Sequence, residues 1–285
     1  ISLQFMKMIL PRWKWILTGL FLLAGLPLLN PALPISAQSE NPRVLMLSYD
    51  GPLTPVLVDY LKRGISEADR GSYSAIILQL NTPGGSIDLM NKTVTEMRAS
   101  PLPIVVYVSP RGAMAGSAGT VITLAGHVSA MSPETTIGAA SPVSSGGADI
   151  GATMEAKVKE MLKATVRGLA AHRGEDAIRL AEDTIENARA VSADEALAAG
   201  LVDIIARDPI DLLHQLVGRE VLLESGSQKL AVSNAEVVPF AHSFIEDFLT
   251  LLINPNLVFL LLALGVQAIL IEIASPGGWF AGFFG

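Results

Sequence analysis

Two short runs of small residues hold the groups that could activate a carbonyl and stabilise the oxyanion formed from it. In Gly112-Ala113-Met114-Ala115-Gly116-Ser117-Ala118-Gly119-Thr120, one serine is wrapped in small side chains ahead of an apolar segment. A nucleophile needs such neighbours, because bulky ones would block a carbonyl from its oxygen. The run has the character of a nucleophile elbow but departs from G-x-S-x-G, since Ala115 stands where the first glycine would be. The Ala118 N–H is positioned to serve as an oxyanion donor. Close helix packing through small residues would account for the same run taken alone. The second run, Asn81-Thr82-Pro83-Gly84-Gly85-Ser86, follows a buried-type strand. Neither glycine has a Cβ, so the backbone can approach a ligand closely. Its free N–H groups beside a helix start favour a negative oxygen. A plain strand-to-helix turn is the competing explanation.

A serine is inert without a base. The histidines are His127, His172, His214 and His242. His127 lies ten residues beyond Ser117, and ten residues of helix span about 15 Å. The other three fall in polar or peripheral segments. A neutral lysine can take the serine proton instead. Lowering its pKa from about 10.4 to about 7 requires roughly 4–5 kcal/mol of desolvation and neighbouring interactions, hence a mostly buried amine. The candidates are Lys157, Lys159 and Lys163. At helical spacing Lys159, Lys163 and Arg167 share one face, which reads as solvent-facing. Lys157 has Met161, Ala164 and Gly168 on its side, although Glu160 at i+3 could pair with it. The pattern leaves the choice open.

The elements that must position these groups alternate. Val44–Leu47 reads as a strand, 54–68 as a helix with Leu57, Leu61 and Ile65 four apart, and 74–80 as a strand buried on both faces. Residues 86–97 read as helix, 103–108 as strand, 115–125 as a helix of small residues and 127–131 as a short strand. The Gly/Ser-rich stretch 144–151 reads as a loop, and a long helix follows over about 154–172. Ser192 and Glu195 make a capping-box pattern, with Gly200 as the stop. Alternating strands and helices imply right-handed βαβ units around one sheet. Residues 208–243 show weaker periodicity and read as a small β-rich appendage or linker.

Composition narrows the function classes. The 285 residues carry a net charge of −7, which argues against nucleic-acid binding through a basic face. The absence of cysteine removes disulfides and thiolate chemistry. Lys7, Arg12 and Lys14 precede an apolar stretch from Trp15 to Leu29, and Ile35-Ser36-Ala37 offers a cleavage site. Residues 1–37 therefore read as a signal peptide or an N-terminal anchor, and either implies export. From Asn256 an apolar run reaches Ile271, short of the ~20 residues of a full span. The SPGGWFAGFFG that follows suggests a turn into a further apolar segment. Residues 244–285 thus read as the start of a membrane-spanning region in a truncated chain. Phe244, Phe248, Leu251 and Leu252 suggest an amphipathic approach to the membrane surface.

Taken in series, LQLNTPGG, GAMAGSAGT, MSPETTIGAASPV and Lys157 ahead of RGLAAHRG resemble the NfeD family of membrane-bound ClpP-class serine proteases. The resemblance covers residues 43–207, within a domain read as 38–207, and the apolar run after Asn254 also fits it. It implies an α/β fold of the ClpP/crotonase type with a Ser-Lys dyad, the serine falling on Ser117 and the lysine on Lys157. It places the oxyanion donors near Gly85 and Ala118, and it needs no metal or organic cofactor. Gly84, Ile87 and Met90, around the Pro-Gly-Gly turn, are expected to line the substrate groove. The resemblance also implies cleavage of hydrophobic stretches in stomatin-like membrane proteins, and a homodimer or larger assembly. The protease domain is expected on the extracytoplasmic side of the plasma or inner membrane. Two rivals are a non-catalytic scaffold for a stomatin-like partner and a crotonase-like acyl-CoA enzyme.

Overall fold

The computed structural model describes residues 41–143 and 151–274. The expected signal segment or anchor, most of the Gly/Ser-rich loop and the apolar tail after Ala274 lie outside them.

Near-continuous apolar segments form a six-stranded parallel sheet. Its strands are β1 (Arg43–Asp50), β2 (Ala75–Asn81), β3 (Ile104–Val108), β5 (Val128–Met131), β8 (Ile204–Ile205) and β11 (Glu236–Phe240), in the order β11-β1-β2-β3-β5-β8. Strand side chains alternate between faces. Ile76, Leu78 and Leu80 of β2 enter one core, and Ala75 and Ile77 enter the other. Both faces are covered, which is why these strands read as near-continuous apolar runs. Each fully buried Leu or Ile contributes about 1.5–3 kcal/mol relative to exposure.

On the larger core pack α1 (Pro55–Arg70), α2 (Ile87–Arg98), α3 (Ala118–Ala125), α4 (Ala152–Ala170) and α5 (Glu175–Glu186). Pro55 sits in the first turn of α1 behind the N-cap Thr54, where its missing N–H costs nothing. Ser86 caps α2 by accepting from the Leu89 N–H. The expected capping box is present at the start of α6 (Ala193–Ala198), with Ser192 and Glu195 as its two members. A smaller sheet carries β4 (Met114–Gly116), β6 (Thr136–Gly138) and β7 (Ala190–Ser192), with β6 parallel to β4 and antiparallel to β7.

Two expectations need correction. The helix expected over 115–125 begins only at Ala118, because Met114–Gly116 form β4 and pair with β6. Small residues suit a tightly approached strand as well as a helix. The segment 208–243 is not a separate appendage. It supplies α7 (Pro209–Leu216) and the hairpin β9 (Glu220–Leu223)–β10 (Gly226–Lys229), and then β11, which joins the main sheet parallel to β1. Leu212, Leu213 and Leu216 of α7 fill the second core. Beyond the sheet lie α8 (Phe244–Ile253) and α9 (Pro255–Ala274). Asn256–Ala274 has a mean hydropathy of 2.5 and is unburied over its length. At 1.5 Å per residue a helix of this length is about 30 Å long, enough to cross a hydrocarbon core.

Candidate active site

The two small-residue runs meet. Thr82, at the end of β2, donates its N–H to Met114 O (2.8 Å) and accepts the Gly116 N–H (2.9 Å), tying the strand end to β4. One residue further, Ser117 occupies φ 50°, ψ −120°, at the point where β4 turns into α3. Only a surrounding structure that over-determines the backbone holds a non-glycine residue there. The constraint is visible. The Ser117 N–H donates to Gly138 O (3.0 Å), and the Ser117 carbonyl accepts from Thr120 (3.0 Å). The Thr120 hydroxyl donates to Ala115 O (2.9 Å) and accepts the Gly138 N–H (3.1 Å). A strand, a strained serine and a helix in succession make the geometry of a nucleophile elbow, despite Ala115.

The Pro83-Gly84-Gly85 turn lies directly against that elbow. Gly84 has φ +109°, a conformation that side chains rarely adopt. A Cβ on Gly84 would fall 2.5 Å from Ser117 Cβ, and a Cβ on Gly116 would fall 3.0 Å from Pro83 O. The Gly84 N–H is taken by the buried Thr82 hydroxyl at 3.0 Å. Leu53 supports the turn from behind by donating its N–H to Gly84 O (2.8 Å). Among the described residues, neither the Gly85 N–H nor the Ala118 N–H donates to another protein group. These two donors flank Ser117 in one cleft of about 740 Å³. Its walls are mostly apolar, with Ile87 and Met90 from α2, Val121 from α3, Ala140 and Pro142 after β6, and Leu162 from α4. Ser117, Gly85, Ala118, Ile87 and Met90 line this one cleft, and Gly84 abuts the serine. Thr82 escaped the sequence reading. Its position next to Pro-Gly-Gly is a visible signal, but its burial and its hydroxyl contact are not.

The lysines are arranged differently from expectation. Lys159 and Lys163 are half-buried, while Arg167 is exposed. All three have acidic partners, on α4 itself and on α5. Lys159 pairs with Glu155 (2.7 Å), and Lys163 pairs with Glu160 (3.0 Å) and Glu186 (3.1 Å). Arg167 pairs with Glu182. The hydrogen bond it donates to Glu155 raises the pKa of Lys159, and those donated to Glu160 and Glu186 raise that of Lys163. Both amines are held charged, the opposite of what a base requires. Lys157 is exposed, makes no hydrogen bond or ion pair among the described residues and does not line the cleft. The mostly buried amine expected of the base is therefore not seen.

None of the four histidines lines the cleft. His127 accepts the Ile104 N–H at Nδ1 (3.0 Å), and burial, with Arg98 nearby, pushes its pKa down to about 4. His242 stacks on Tyr60 at 4.1 Å. Among the described residues, no group of three or more His, Asp or Glu side chains is placed to hold a metal ion.

The segment 44–211 matches the domain described as "NfeD1b, N-terminal domain". The membrane-bound protease PH1510 of Pyrococcus horikoshii is 34% identical over 260 residues, covering 90% of this chain and 58% of that protein. The membrane protein NfeD1b of Bacillus subtilis is 26% identical over 273 residues, covering 92% of this chain and 56% of that protein. The chain thus spans little more than half the length of these curated relatives. A solved structure of the 1510-N membrane-bound stomatin-specific protease, a lysine-to-alanine mutant in complex with a substrate peptide, superposes with a TM-score of 0.69 at 32% identity. That superposition covers 74% of this chain and 97% of the other. The fold class is the expected α/β one, shared with the 1510-N protease. With more than half of its residues inside the matched domain, the chain belongs to the NfeD1b N-terminal domain family.

Proposed function

We propose that the chain is a membrane-associated serine endopeptidase that works through a Ser117–Lys157 dyad. The observation that carries this reading is the strained main chain of Ser117 between two uncommitted N–H groups, Gly85 and Ala118, in one apolar cleft.

In the mechanism, the neutral Lys157 amine takes the proton from the Ser117 hydroxyl as Oγ attacks a peptide carbonyl. The carbonyl oxygen becomes an oxyanion and accepts from the Gly85 and Ala118 N–H groups, the kind of preorganised stabilisation that often supplies the largest share of catalysis. The lysine ammonium returns its proton to the leaving amine as the C–N bond breaks. Water, deprotonated by the same amine, then hydrolyses the acyl-serine. Gly84 lets the peptide backbone pass close to Ser117, and Ile87 and Met90 receive apolar substrate side chains. Lys157 is favoured over its neighbours because carboxylates hold Lys159 and Lys163 protonated. The lysine-to-alanine mutant of the similar 1510-N protease, captured with a substrate peptide, supports a lysine in this role. The exposed amine moves against Ser117 when α4 settles over a bound peptide, since catalytic contacts are often loose in the free enzyme.

The substrate is an apolar segment of a stomatin-like membrane protein, in line with the stomatin-specific activity named for the 1510-N protease. The enzyme works as a homodimer or larger assembly, its protease domain on the extracytoplasmic side of the membrane in which α9 is embedded. The test is to incubate the chain, reconstituted in liposomes, with peptides covering the apolar segments of a stomatin-like protein. Cleavage by the wild type and none by Ser117→Ala is the expected result. A second reading, a non-catalytic scaffold for such a partner, draws on the exposure of Lys157. Peptide binding without cleavage, and without labelling by a fluorophosphonate, would favour it.

A further inference from the structure

The helix α8 is built inside out. Placed on a helical wheel, Glu246, Asp247 and Thr250 occupy one side, and Phe244, Ile245, Phe248, Leu249, Leu251 and Leu252 form an apolar arc on the other. In a soluble domain the arc would face the core. Here Glu246 alone is turned into the protein body, Asp247 and Thr250 stay at the surface, and the arc is exposed, Phe244 at 83%, Ile245 at 67% and Phe248 at 48%. The orientation is held by a clamp. Arg63 of α1 donates Nε to Glu246 Oε1 (3.1 Å) and Nη2 to Glu246 Oε2 (2.5 Å), and Nη2 also reaches Ala241 O (2.8 Å). Glu246 is 6% exposed and also takes the Ser243 N–H (2.6 Å), closing a capping box. The Arg63 guanidinium lies 4.2 Å over the Phe240 ring, and the Tyr60 hydroxyl donates to Phe240 O (2.6 Å). A charged pair held by this many partners fixes the rotation of α8 about its own axis.

We propose that α8 lies flat in the headgroup region of the bilayer, its apolar arc among the upper acyl chains. The clamp to α1 then seats the domain on the membrane surface instead of leaving it on a loose tether. Lipid is the occupant because the arc runs directly into α9, separated from it only by the break at Asn254, and Asn256–Ala274 of α9 is unburied and strongly apolar, with a mean hydropathy of 2.5. Interfacial helices of this kind bury their apolar face about 5–10 Å below the headgroup boundary. The proposal rests on the reading that α9 crosses a bilayer, and the test separates the two.

The chain contains no cysteine, so single labelling sites can be introduced cleanly. Spin labels are attached to Ile245→Cys, Asp247→Cys, Phe248→Cys and Leu252→Cys in α8 and to Leu262→Cys in α9. The full chain is reconstituted in phosphatidylcholine–phosphatidylglycerol vesicles, and depth is read from oxygen against aqueous-relaxant accessibility. A flat α8 gives depths that oscillate with the helical period, shallow burial at 245, 248 and 252 and water contact at 247, with deep burial at 262. Deep burial at 262 with all α8 labels in water overturns the proposal and leaves the membrane span standing. Depth increasing steadily along α8 overturns it in favour of a spanning segment. Dipolar broadening between copies at 248 overturns it in favour of a protein-covered face. Water contact at 262 overturns the membrane reading itself, and the proposal with it.

Discussion

Gly84 and Ser117 are in contact across the candidate site, so close that a Cβ on Gly84 would lie 2.5 Å from Ser117 Cβ and 3.1 Å from Ser117 Oγ. Their segments come from different elements, the end of β2 and the β4–α3 turn, and each constrains the other. Gly84→Ala should therefore cost function through two routes, the clash and the φ of +109°. We expect at least a hundredfold slower labelling by a fluorophosphonate and a lowered Tm. Normal labelling of Gly84→Ala would show that the contact does not shape the site.

The strain at Ser117 has its own signature. Its φ of 50° is costly for any residue with a Cβ. Ser117→Gly should be more stable than Ser117→Ala by about 1 kcal/mol, with both inactive. Chemical denaturation compares them. Equal stabilities would mean that the elbow stores no strain.

Thr82 is predicted to position the oxyanion turn. Its hydroxyl accepts the Gly84 N–H within a buried site. Thr82→Val keeps the shape and leaves that N–H unpaired, at a stability cost of about 1–3 kcal/mol. A turn free to rotate should lower kcat at least tenfold with little change in KM, and Thr82→Ser should restore it. Loss of stability with kcat intact would assign the residue to folding alone.

Three lysines on α4 separate by their partners. Lys157→Ala should abolish peptide cleavage without lowering Tm, because the exposed side chain has no partner among the described residues. Lys159→Ala and Lys163→Ala should cleave near the wild-type rate and lose a little stability through their contacts with Glu186 of α5. Loss of cleavage in either of the latter, with Lys157→Ala active, would move the base.

Acid sensitivity is expected from His127. Burial holds its pKa near 4, below the ordinary 6.5, so the unfolded chain binds the proton more readily than the folded one. Its contribution to stability is intact above pH 6.5 and declines as pH falls towards 4, by up to about 3 kcal/mol. His127→Asn should flatten this part of the Tm–pH curve. An unchanged slope would assign the acid loss to other groups.

The strands and helices that carry the site were legible because each segment's burial is written in its own period. The double-sided burial of β2 showed as a near-continuous apolar run, and the cap of α6 showed as Ser192 with Glu195. The start of α3 was misplaced because Met114–Gly116 carries no local sign of strand. Those residues are strand only because β6 arrives beside them. The half-burial of Lys159 and Lys163 is unwritten in the sequence for a related reason, since both reach Glu186 of another helix, Lys159 at its carbonyl and Lys163 at its carboxylate.

By itself the sequence determined which residues could do chemistry: one serine among small neighbours, a Pro-Gly-Gly turn and a short row of lysines. It also determined the α/β class and an apolar helix over residues 256–271. Tertiary structure alone decided that Gly84 meets Ser117, that Gly85 and Ala118 keep their N–H groups free, and that Glu246 turns inward to Arg63. The reason is that composition and period report what one segment must bury. Contacts between segments depend on strand register and helix rotation, which are settled only when all of them pack at once.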